Sequence, residues 1–562
     1  MADLDRRHRS GAADRRPHRR PRRGCAKGAG PQHVRAPAHR RARRYGRPVH
    51  PAGGMSARTV RGRTDRVVVV GAGFAGLSAA LQLAGRGREV TVVEQNPWPG
   101  GRAGRLDIDG YRIDTGPTVL TMPNIIDEAF AAVGETSSQR LELLPVDPAY
   151  RAKFADGSSL DVHTDADRMA AAVREFAGAR QEAGYLRLRD WLNRLYRTEF
   201  DGFIAANFDS PLSLLNGRLA RLAALGGFRR WDTMVRRHIT DDRLRRVFTF
   251  QSLYAGVAPQ QALAVYAVIA YMDTVSGVFF PRGGVRALPD ALAAAAADAG
   301  VRFRYSAAVT ALDRDGARIT AVRTDRDERI ACDAVVLTTE LPQTYRLLGR
   351  RPRRPVPLRA APSAVVLHVG AAPVGPQNAH HTILFGDEWD RTFTDIIRDG
   401  RLMSDPSLLV TRPTAGDPSL APAGRDLLYV LAPAPNLTRR DIDWPRIGDG
   451  YAQSLLQIVQ ERLIPRLRDG AQLLHVDTPA DWARQGMAGG TPFALAHTFA
   501  QTGPFRPANT VRGIDNAVLA GSSTLPGVGV PTTLISGRLA ADRIAGSDTR
   551  SANVIDLKAR SR

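Results

Sequence analysis

The clearest pattern of apolar and polar positions in the chain runs from residue 66 to residue 94. It begins with four consecutive valines, Val67 to Val70, an apolar run typical of a strand buried on both faces of a parallel sheet. Apolar residues then recur at helical spacing over residues 77–84, and a second apolar run ends at Val93. This order predicts a strand, a helix and a second strand, a unit that can hold a dinucleotide.

Three glycines lie in the predicted turn between the first strand and the helix. Gly71 allows the tight turn, Gly73 lets backbone approach a pyrophosphate, and Gly76 lets the helix pack close to the strand. Glu94 follows the second strand, roughly 20 residues beyond the glycines, where an acid that binds ribose is expected. The residues therefore predict a nucleotide site whose phosphates meet a helix N-terminus.

Later segments extend this predicted site. Gly100 and Gly101 stand directly before Arg102, and backbone approach combined with a guanidinium suits a diphosphate. Residues 301–340 alternate between polar and apolar positions like a small sheet that ends in a buried strand. The segment NAVLAGSSTLPGVGVPTTLISG predicts a strand, a glycine- and proline-rich loop, and a helix that begins near Pro531. The N-terminus of that helix is a second one that can face a cofactor.

The chain has 562 residues with 43% hydrophobic content, which exceeds the usual size of one domain and predicts two folded lobes. Its formal net charge is +23, but much of the excess lies in residues 1–54, which contain no apolar segment of a signal peptide. We expect residues 1–58 to be a disordered, Arg-rich tail, with Met55 as the natural start, and residues 549–562 to be a C-terminal tail. An Arg-rich arm can bind nucleic acid or an acidic membrane, but no nucleic-acid partner is expected.

Several chemistries are not expected from this sequence. Cys25 and Cys332 are its two cysteines, so there is no disulfide framework and a reducing compartment fits. The sequence has no CxxC pair for a dithiol–flavin relay and no metal-binding motif, and we expect no metal. Lys27, Lys153 and Lys558 are its only lysines, so a catalytic lysine is not expected.

The sequence contains no clean apolar stretch of about 20 residues, the length that spans a bilayer. Residues 211–237 mix leucines with arginines and few acids, a composition typical of an amphipathic segment on a membrane surface. An ordinary half-buried helix pair, broken at Gly226–Gly227, explains the same pattern. Both interpretations stay open at this point.

The chain resembles the bacterial-type carotenoid desaturases, phytoene desaturase above all, over nearly all of residues 65–546. The motifs that carry the resemblance occur in order along the chain: GAGFAGL, PGGRAG, DGYRIDTGPTV, VFFPRGG, AHHTILFG and PGVGVPTTLISG. The resemblance implies an α/β fold with a glutathione-reductase-like, FAD-binding Rossmann lobe and a second α+β substrate lobe, as in amine-oxidase-related flavoproteins. It assigns five segments to two domains: 59–160, 276–345 and 490–548 to FAD binding, and 161–275 and 346–489 to substrate binding and membrane association.

The resemblance also implies FAD as the cofactor. The phosphate role falls on the glycine turn and Arg102, the ribose role on Glu94, and the flavin-end role on Gly116 and the C-terminal loop. The residues expected to bind FAD are Gly71, Gly73, Phe74, Ala75, Gly76, Glu94, Gly100, Gly101, Arg102, Gly116, Pro117, Thr118, Gly521, Ser522, Gly527, Gly529 and Val530. The chain departs from the family at Ser522 and Ser523, where an acid and a glycine are usual, although the Ser522 hydroxyl can still hydrogen-bond ribityl or phosphate oxygens.

The reaction that the resemblance implies removes two hydrogens from adjacent saturated carbons of a lipophilic carotenoid. Protein side chains cannot accept a hydride, whereas a flavin can, and the accompanying proton goes to a base or to water. Asp273 is the candidate for this catalytic base because it lies between an apolar segment and the strand VFFPRGG, although a solvent-facing Asp explains its position as well. Oxygen or a quinone is expected to reoxidise the flavin, since the chain shows no second dinucleotide fingerprint for a nicotinamide.

We therefore predict an FAD-dependent phytoene desaturase that forms lycopene, or an intermediate such as neurosporene, and that is cytoplasmic and peripherally associated with the cell membrane. A desaturase of a hydroxylated or diapo-carotenoid and a ketolase-like oxygenase are alternatives within the family. A flavin amine oxidase and a non-enzymatic, prenyl-binding escort of the same fold are alternatives from other classes. The near absence of lysine counts against the amine oxidase, and the intact phosphate turn counts against the escort.

Overall fold

A computed structural model of the chain describes residues 58–209, 217–350, 354 and 356–547. The predicted N-terminal tail, apart from Arg58, and the predicted C-terminal tail lie outside the described residues. The strands of the described residues are β1 Arg66–Val70, β2 Glu89–Val93, β3 Arg105–Ile108, β4 Tyr111–Asp114, β5 Leu120–Thr121, β6 Leu143–Val146, β7 Tyr150–Lys153, β8 Ser159–Val162, β9 Val278–Pro281, β10 Arg302–Arg304, β11 Val309–Asp315, β12 Arg318–Thr324, β13 Arg329–Ala331, β14 Ala334–Leu337, β15 Ser363–Ala371, β16 His381–Leu384, β17 Leu408–Thr411, β18 Asp426–Ala434, β19 Gln472–Asp477 and β20 Ala517–Leu519.

Some α-helices lie between strands, whereas α3 to α8 follow one another with no strand among the described residues between them. Two of the π-helical turns, Phe200–Ile204 and Met272–Ser276, directly follow α4 and α8. The helices of the described residues are α1 Phe74–Ala84, α2 Pro123–Ala131, α3 Ala166–Ala177, α4 Ala179–Glu199, α5 Gly217–Ala224, α6 Trp231–Arg236, α7 Asp242–Val247, α8 Val268–Tyr271, α9 Ala287–Asp298, α10 Leu341–Leu347, α11 Trp389–Phe393, α12 Trp444–Arg462, α13 Pro479–Arg484 and α14 Val530–Ala545.

A five-stranded parallel sheet, with strand order β10–β2–β1–β14–β20, carries the predicted dinucleotide unit. The valines of β1 are buried because β2 and β14 flank them, helices α1, α9 and α14 cover one face of the sheet, and residues of β11, β12 and α10 cover the other. Helix α14 packs directly on α1: the Ser78 hydroxyl donates a hydrogen bond to Leu534 O at 2.7 Å, and a Cβ at Gly537 would lie 2.3 Å from Ala75 O. The predicted strand–helix–strand unit and the α/β fold class are confirmed.

The small sheet predicted within residues 301–340 is also present. Strands β11, β12 and β13 form a three-stranded antiparallel sheet, and β10 and β14 on either side of it join the parallel sheet. The alternating exposure of β12 shows the cause, since Ile319, Ala321 and Val322 are buried while Arg323 faces outward.

A seven-stranded sheet, with strand order β19–β15–β18–β17–β16–β7–β8, forms the second large layer. Strand β15 is buried along its whole length between β18 and β19, and α12 packs against it. Buried side chains of α3, α4, α6 and α7 form a core with β7 and β8. The domain division stays a prediction, and its boundary at residue 160 falls inside β8, whose hairpin with β7 belongs to this larger sheet.

Part of the stretch predicted to be amphipathic, residues 211–216, lies outside the described residues. The remainder forms α5 and α6, which are separated at Gly226–Gly227, as in the interpretation of an ordinary helix pair. Leu222 and Trp231 are buried in the core, whereas Phe228 is 40% exposed. In the described part of the chain, no helix is both long and apolar enough to cross a membrane.

Candidate functional site

A cavity of about 1060 Å³ begins at the carboxyl ends of the parallel strands and reaches inward to residues of the larger sheet, such as Val366 and Tyr429. All of the predicted site residues line this cavity except Gly76 and Gly527. The fold therefore brings together segments from the beginning, the middle and the end of the described chain. Ligands of open parallel sheets bind at this edge, where the strands end.

The glycine turn shapes one end of the cavity through packing and through open space. Gly76 faces away from the cavity, and a Cβ there would lie 1.9 Å from Gly71 O, so the glycine permits α1 to approach β1. Gly73 faces the cavity, and the nearest atom to a Cβ there would be Gly101 Cα at 3.9 Å. Because no side chain caps the N-terminus of α1, its first amides can bind a ligand anion.

Glu94 is fixed beside this turn by two backbone amides. One carboxylate oxygen accepts a hydrogen bond from Ala72 N at 2.7 Å, and the other accepts one from Asn96 N at 2.9 Å. The side chain is buried against solvent but lines the cavity. Its oxygens keep free lone pairs, so the carboxylate can accept hydrogen bonds from ribose hydroxyls.

The second glycine cluster is hydrogen-bonded to the glycine turn, and Arg102 directly after it lines the cavity. Gly100 N donates a hydrogen bond to Ala72 O at 2.8 Å. The Arg102 guanidinium donates to Ser522 Oγ at 2.9 Å and forms an ion pair with Glu340. Sequence analysis missed Glu340, although its place directly after the buried strand β14 was a usable signal, because that strand lies beside β1.

Arg506 binds the backbone of the C-terminal loop through hydrogen bonds to two of its carbonyl oxygens. Its guanidinium is buried and donates to Thr524 O at 2.8 Å and to Ser522 O at 2.6 Å. Burial lowers the pKa of Arg506 to about 10, so the side chain stays charged at neutral pH. Gly527 does not line the cavity because it lies against His497, whose Cε1 would be 2.3 Å from a Cβ at that position.

This half of the cavity has the donors and the space that FAD requires. Gly73 and Gly529 begin α1 and α14 without side-chain caps, so two helix N-termini meet the cavity. Glu94 offers acceptors for ribose and Arg102 offers a cation for the diphosphate. The residues predicted to contact the phosphates, the ribose and the flavin end therefore line one cavity, apart from Gly76 and Gly527.

The other half of the cavity is an apolar and aromatic chamber. It lies between α8, the π-helical turn at residues 200–204 and the larger sheet. Its hydrophobic and aromatic walls are suited to a long apolar ligand. The residues that line it include Phe203, Ile204, Tyr254, Tyr266, Val268, Ile269, Met272, Val366, Leu409, Tyr429 and Leu431.

Asp273 projects into this chamber from the π-helical turn Met272–Ser276. The alternative of a solvent-facing Asp273 is wrong, because the side chain is 3% exposed. Burial raises the pKa of Asp273 to about 8, and a polar contact with the Gln251 side chain acts in the opposite direction. Single π-helical turns often occur at functional sites.

A second buried carboxyl, Glu199, lines the same chamber and was missed by sequence analysis. It is the last residue of α4, a charged helix whose sequence does not show that its C-terminal end enters the interior. Burial raises the pKa of Glu199 well above its usual range. The chamber therefore contains two carboxyls whose pKa burial raises, and a third buried carboxyl, Asp477, lines the cavity beside His475. Its other walls are mostly apolar or aromatic.

Comparison with protein families places this geometry in a known class. The family profile of flavin containing amine oxidoreductases matches residues 74–545. A profile of pyridine nucleotide-disulphide oxidoreductases matches residues 25–108, which include the glycine turn. The chain belongs to the flavin-containing amine oxidoreductase family, and it is an FAD-dependent oxidoreductase with FAD as its cofactor.

Curated relatives narrow the class. The chain is 62% identical over 490 residues to the phytoene dehydrogenase of Streptomyces griseus, covering 87% of this chain and 96% of the relative. It is 39% identical to the zeta-carotene-forming phytoene desaturase of Myxococcus xanthus, covering 87% and 95%. It is 33% identical to the lycopene-forming phytoene desaturase of a Paracoccus strain, covering 89% and 100%. Within the flavoprotein family, the chain thus belongs to the carotenoid desaturases.

Solved structures share the fold at low identity. An oxidoreductase from Methanosarcina mazei matches with a TM-score of 0.54 and 16% identity, covering 84% of this chain and 98% of that one. Putrescine oxidase bound to putrescine matches with a TM-score of 0.56 and 14% identity, covering 88% and 99%. At these identities the two structures show the fold alone.

Proposed function

We propose that this protein is a phytoene desaturase that forms lycopene, or an intermediate such as neurosporene, by successive desaturation. The observation that carries the proposal is the apolar chamber, which opens from the FAD half of the cavity and holds the buried carboxyl of Asp273. A hydrocarbon substrate has no polar handle, so hydrophobic walls must position it. The relatives that are named phytoene desaturases support this choice of substrate.

The side chains divide the work between the two halves of the cavity. Bound FAD supplies the hydride acceptor that protein side chains lack. The glycine turn, Glu94 and Arg102 would hold its phosphate and ribose groups, and the α14 N-terminus would face its flavin end. Tyr254, Met272 and their neighbours orient the chain of the substrate and exclude water from the reacting carbons.

Asp273 is proposed as the proton acceptor. An ionised Oδ of Asp273 takes the proton from the carbon next to the one that loses hydride, so that a new double bond forms between the two carbons. A pKa of about 8 keeps a usable fraction of this carboxyl ionised near neutral pH and makes it a strong base when ionised. The apolar walls cause this shift, so one environment both holds the hydrocarbon and raises the basicity of the carboxylate.

We also propose that the protein is cytoplasmic and binds the membrane surface from which it takes its substrate. Phe499 and Phe505 are 63% and 41% exposed and their ring centroids lie 5.7 Å apart. Gly503, between them in sequence, lines the cavity. Oxygen or a membrane quinone is the proposed electron acceptor. Flotation with liposomes tests the surface: Phe499→Asp with Phe505→Asp should reduce membrane binding, whereas Leu186→Asp, at another exposed position, should not.

The function is tested by incubating the FAD-loaded, full-length protein in air with liposomes that contain phytoene. Absorption spectra of the extracted lipid should show new long-wavelength bands with resolved fine structure, whose positions give the number of conjugated double bonds. Unchanged lipid spectra, with FAD bound and with either oxygen or an added quinone as acceptor, would contradict the proposal.

A further inference from the structure

The substrate chamber contains a buried carboxyl that needs a hydrogen-bond partner, which a hydrocarbon cannot provide. Glu199 is 2% exposed and lines the cavity, and its Oε2 has no hydrogen-bond partner among the residues that the structure describes. Buried polar side-chain atoms are hydrogen-bonded in the large majority of cases. An unpartnered carboxyl oxygen at a ligand cavity therefore indicates a partner that comes with the ligand.

Packing on both sides of the residue fixes the place of Glu199. Tyr196, one turn earlier in α4, stacks on Tyr271 of α8 with ring centroids 4.2 Å apart. The π-helical turn at residues 200–204 follows directly, and Phe203 in that turn lines the same cavity. The side chain thus enters the chamber from a packed helix end and not from a loose surface segment.

The protonation state of Glu199 limits the ligands that suit it. Burial raises the pKa of Glu199 well above its usual range and so favours the protonated, neutral form of the carboxyl. A protonated carboxyl donates through its O–H and accepts through its carbonyl oxygen, and it complements a neutral ligand oxygen. A carbonyl or a hydroxyl group meets this requirement, whereas phytoene offers neither.

Two other polar groups of the chamber, Tyr266 and Asp273, already have polar contacts within the protein. The Tyr266 hydroxyl lies near Glu199, and it already donates a hydrogen bond to Thr502 Oγ1 at 2.6 Å. Asp273 has the Gln251 side chain as its polar contact. Glu199 therefore differs from both in having an oxygen with no partner among the described residues.

We propose that Glu199 forms a hydrogen-bonding subsite in the chamber for a neutral, lipophilic ligand that carries a carbonyl or hydroxyl oxygen. The identity of the ligand rests on the proposed function, which offers two sources of this chemistry. One is a quinone that reoxidises the cofactor, and the other is the oxygenated end group of a carotenoid.

The quinone case gives a balanced reaction. Bound FAD, once reduced, would supply two electrons and one proton as a hydride equivalent, and the Glu199 carboxyl would donate the second proton to the quinone oxygen. The products are oxidised cofactor, hydroquinone and the Glu199 carboxylate, which regains its proton from solvent. In the carotenoid case no bond changes, and Glu199 only binds the hydroxyl or carbonyl of the ligand.

Binding to the oxidised, FAD-loaded full-length protein tests the subsite without turnover. The probes are decyl-ubiquinone, retinol as a hydroxylated polyene, and phytoene as a hydrocarbon reference, each titrated by quenching of protein fluorescence. Glu199→Leu should weaken the binding of the quinone or of retinol by about tenfold, the value of one hydrogen bond to a buried group. Glu199→Gln keeps a hydrogen-bond donor, so it should lose less affinity for these two probes. The affinity for phytoene should not fall in either variant.

A second readout guards against misfolding. Infrared difference spectra should show the carbonyl stretch of protonated Glu199 moving to lower frequency when the ligand binds, and this band should be missing in Glu199→Gln. The matched control is Glu175→Leu, at an exposed helical position, which should leave all three affinities unchanged.

The outcomes separate the ligand sources and the two proposals. Weaker quinone binding alone identifies an acceptor subsite, and weaker retinol binding alone identifies an end-group subsite. Unchanged affinity for both probes in Glu199→Leu, with no ligand-dependent carboxyl band, would overturn the subsite. Phytoene turnover is scored separately, so its absence with Glu199-dependent binding would reject the proposed function and leave the subsite standing.

Discussion

The two ends of one cavity place carboxyl groups in opposite environments. At the FAD end, both oxygens of Glu94 accept hydrogen bonds from backbone amides. At the substrate end, Asp273 and Glu199 are buried without a cation, and burial raises the pKa of both. A carboxylate that is held by amides suits stable binding of a ligand. A carboxyl that burial keeps close to protonation suits exchange of a proton with a ligand.

The difference follows from where each carboxyl lies in the fold. Glu94 stands where a parallel strand ends beside a glycine turn, and backbone donors are concentrated there. Asp273 and Glu199 stand at helix ends inside a chamber whose walls are mostly apolar or aromatic. The first environment stabilises the charged form of a carboxyl, and the second stabilises the neutral form.

The largest expected effect is the loss of FAD from Gly73→Val. A Cβ at residue 73 would meet no protein atom closer than 3.9 Å, so the added side chain enters the space of the ligand and spares the protein packing. FAD affinity should fall by at least about 1,000-fold, roughly 4 kcal/mol. Flavin fluorescence titration measures it, and Gly450→Val, also in open space, is the control. Normal FAD content in Gly73→Val would mean that the glycine turn does not bind FAD, which would contradict the assignment of this end of the cavity.

Asp273→Asn should leave FAD bound and reduce the rate of desaturation by about 10²–10⁴-fold, the usual value of a general base. In the wild-type protein the rate should rise with pH and level off above an apparent pKa of about 8, as Asp273 ionises. The residual rate of the variant should lack this rise. Initial rates of polyene absorbance measure both quantities, and an unchanged rate profile in the variant would exclude Asp273 as the base.

Glu94→Gln should weaken FAD binding by about 10–100-fold, a smaller effect than that of Gly73→Val. Both carboxylate oxygens accept from amides, and a Gln side chain would place an NH₂ donor against one of those N–H groups. Equilibrium dialysis of FAD measures the loss. Retention of full affinity would mean that the fixed carboxylate does not hold the cofactor.

Measured over a single pH unit, the smallest expected change in free energy is in the pH dependence of stability. The pKa of Asp273 is about 8 in the folded protein and about 4 in the unfolded chain, so between these values the folded state binds the extra proton. The free energy of unfolding should therefore fall as pH rises from about 4 to 8. Asp273→Asn should make this slope shallower by up to about 1.4 kcal/mol per pH unit. Urea unfolding at several pH values measures this slope. Equal slopes in the wild-type protein and in Asp273→Asn would mean that the pKa of Asp273 is not raised by burial.

The sequence predicts the FAD end well because its signals are local. The valine run, the three glycines and Glu94 follow one another within one strand–helix–strand unit, and the structure brings the second glycine cluster to the same turn. Glu340 could have been found from its place after a buried strand. Its ion pair with Arg102 depends on the strand order, which periodicity does not give.

The chamber could not be predicted to the same degree because it depends on contacts between distant segments. The sequence leaves open whether Asp273 faces solvent or the interior, and only the tertiary packing of the π-helical turn Met272–Ser276 shows that it is buried. Glu199 continues the buried face of α4 after Leu192 and Leu195, but only tertiary packing shows that this end of the face meets a cavity. The same holds for the larger sheet, where the β7–β8 hairpin joins strands that come more than two hundred residues later.

The most direct test of the central claim is a single turnover without any electron acceptor. The FAD-loaded protein is mixed anaerobically with phytoene liposomes, and flavin absorbance is followed together with the polyene bands of the product. The two-ended cavity predicts that one flavin is reduced for each new double bond, and that Asp273→Asn slows both signals equally. New double bonds without flavin reduction, or flavin reduction without new double bonds, would contradict it.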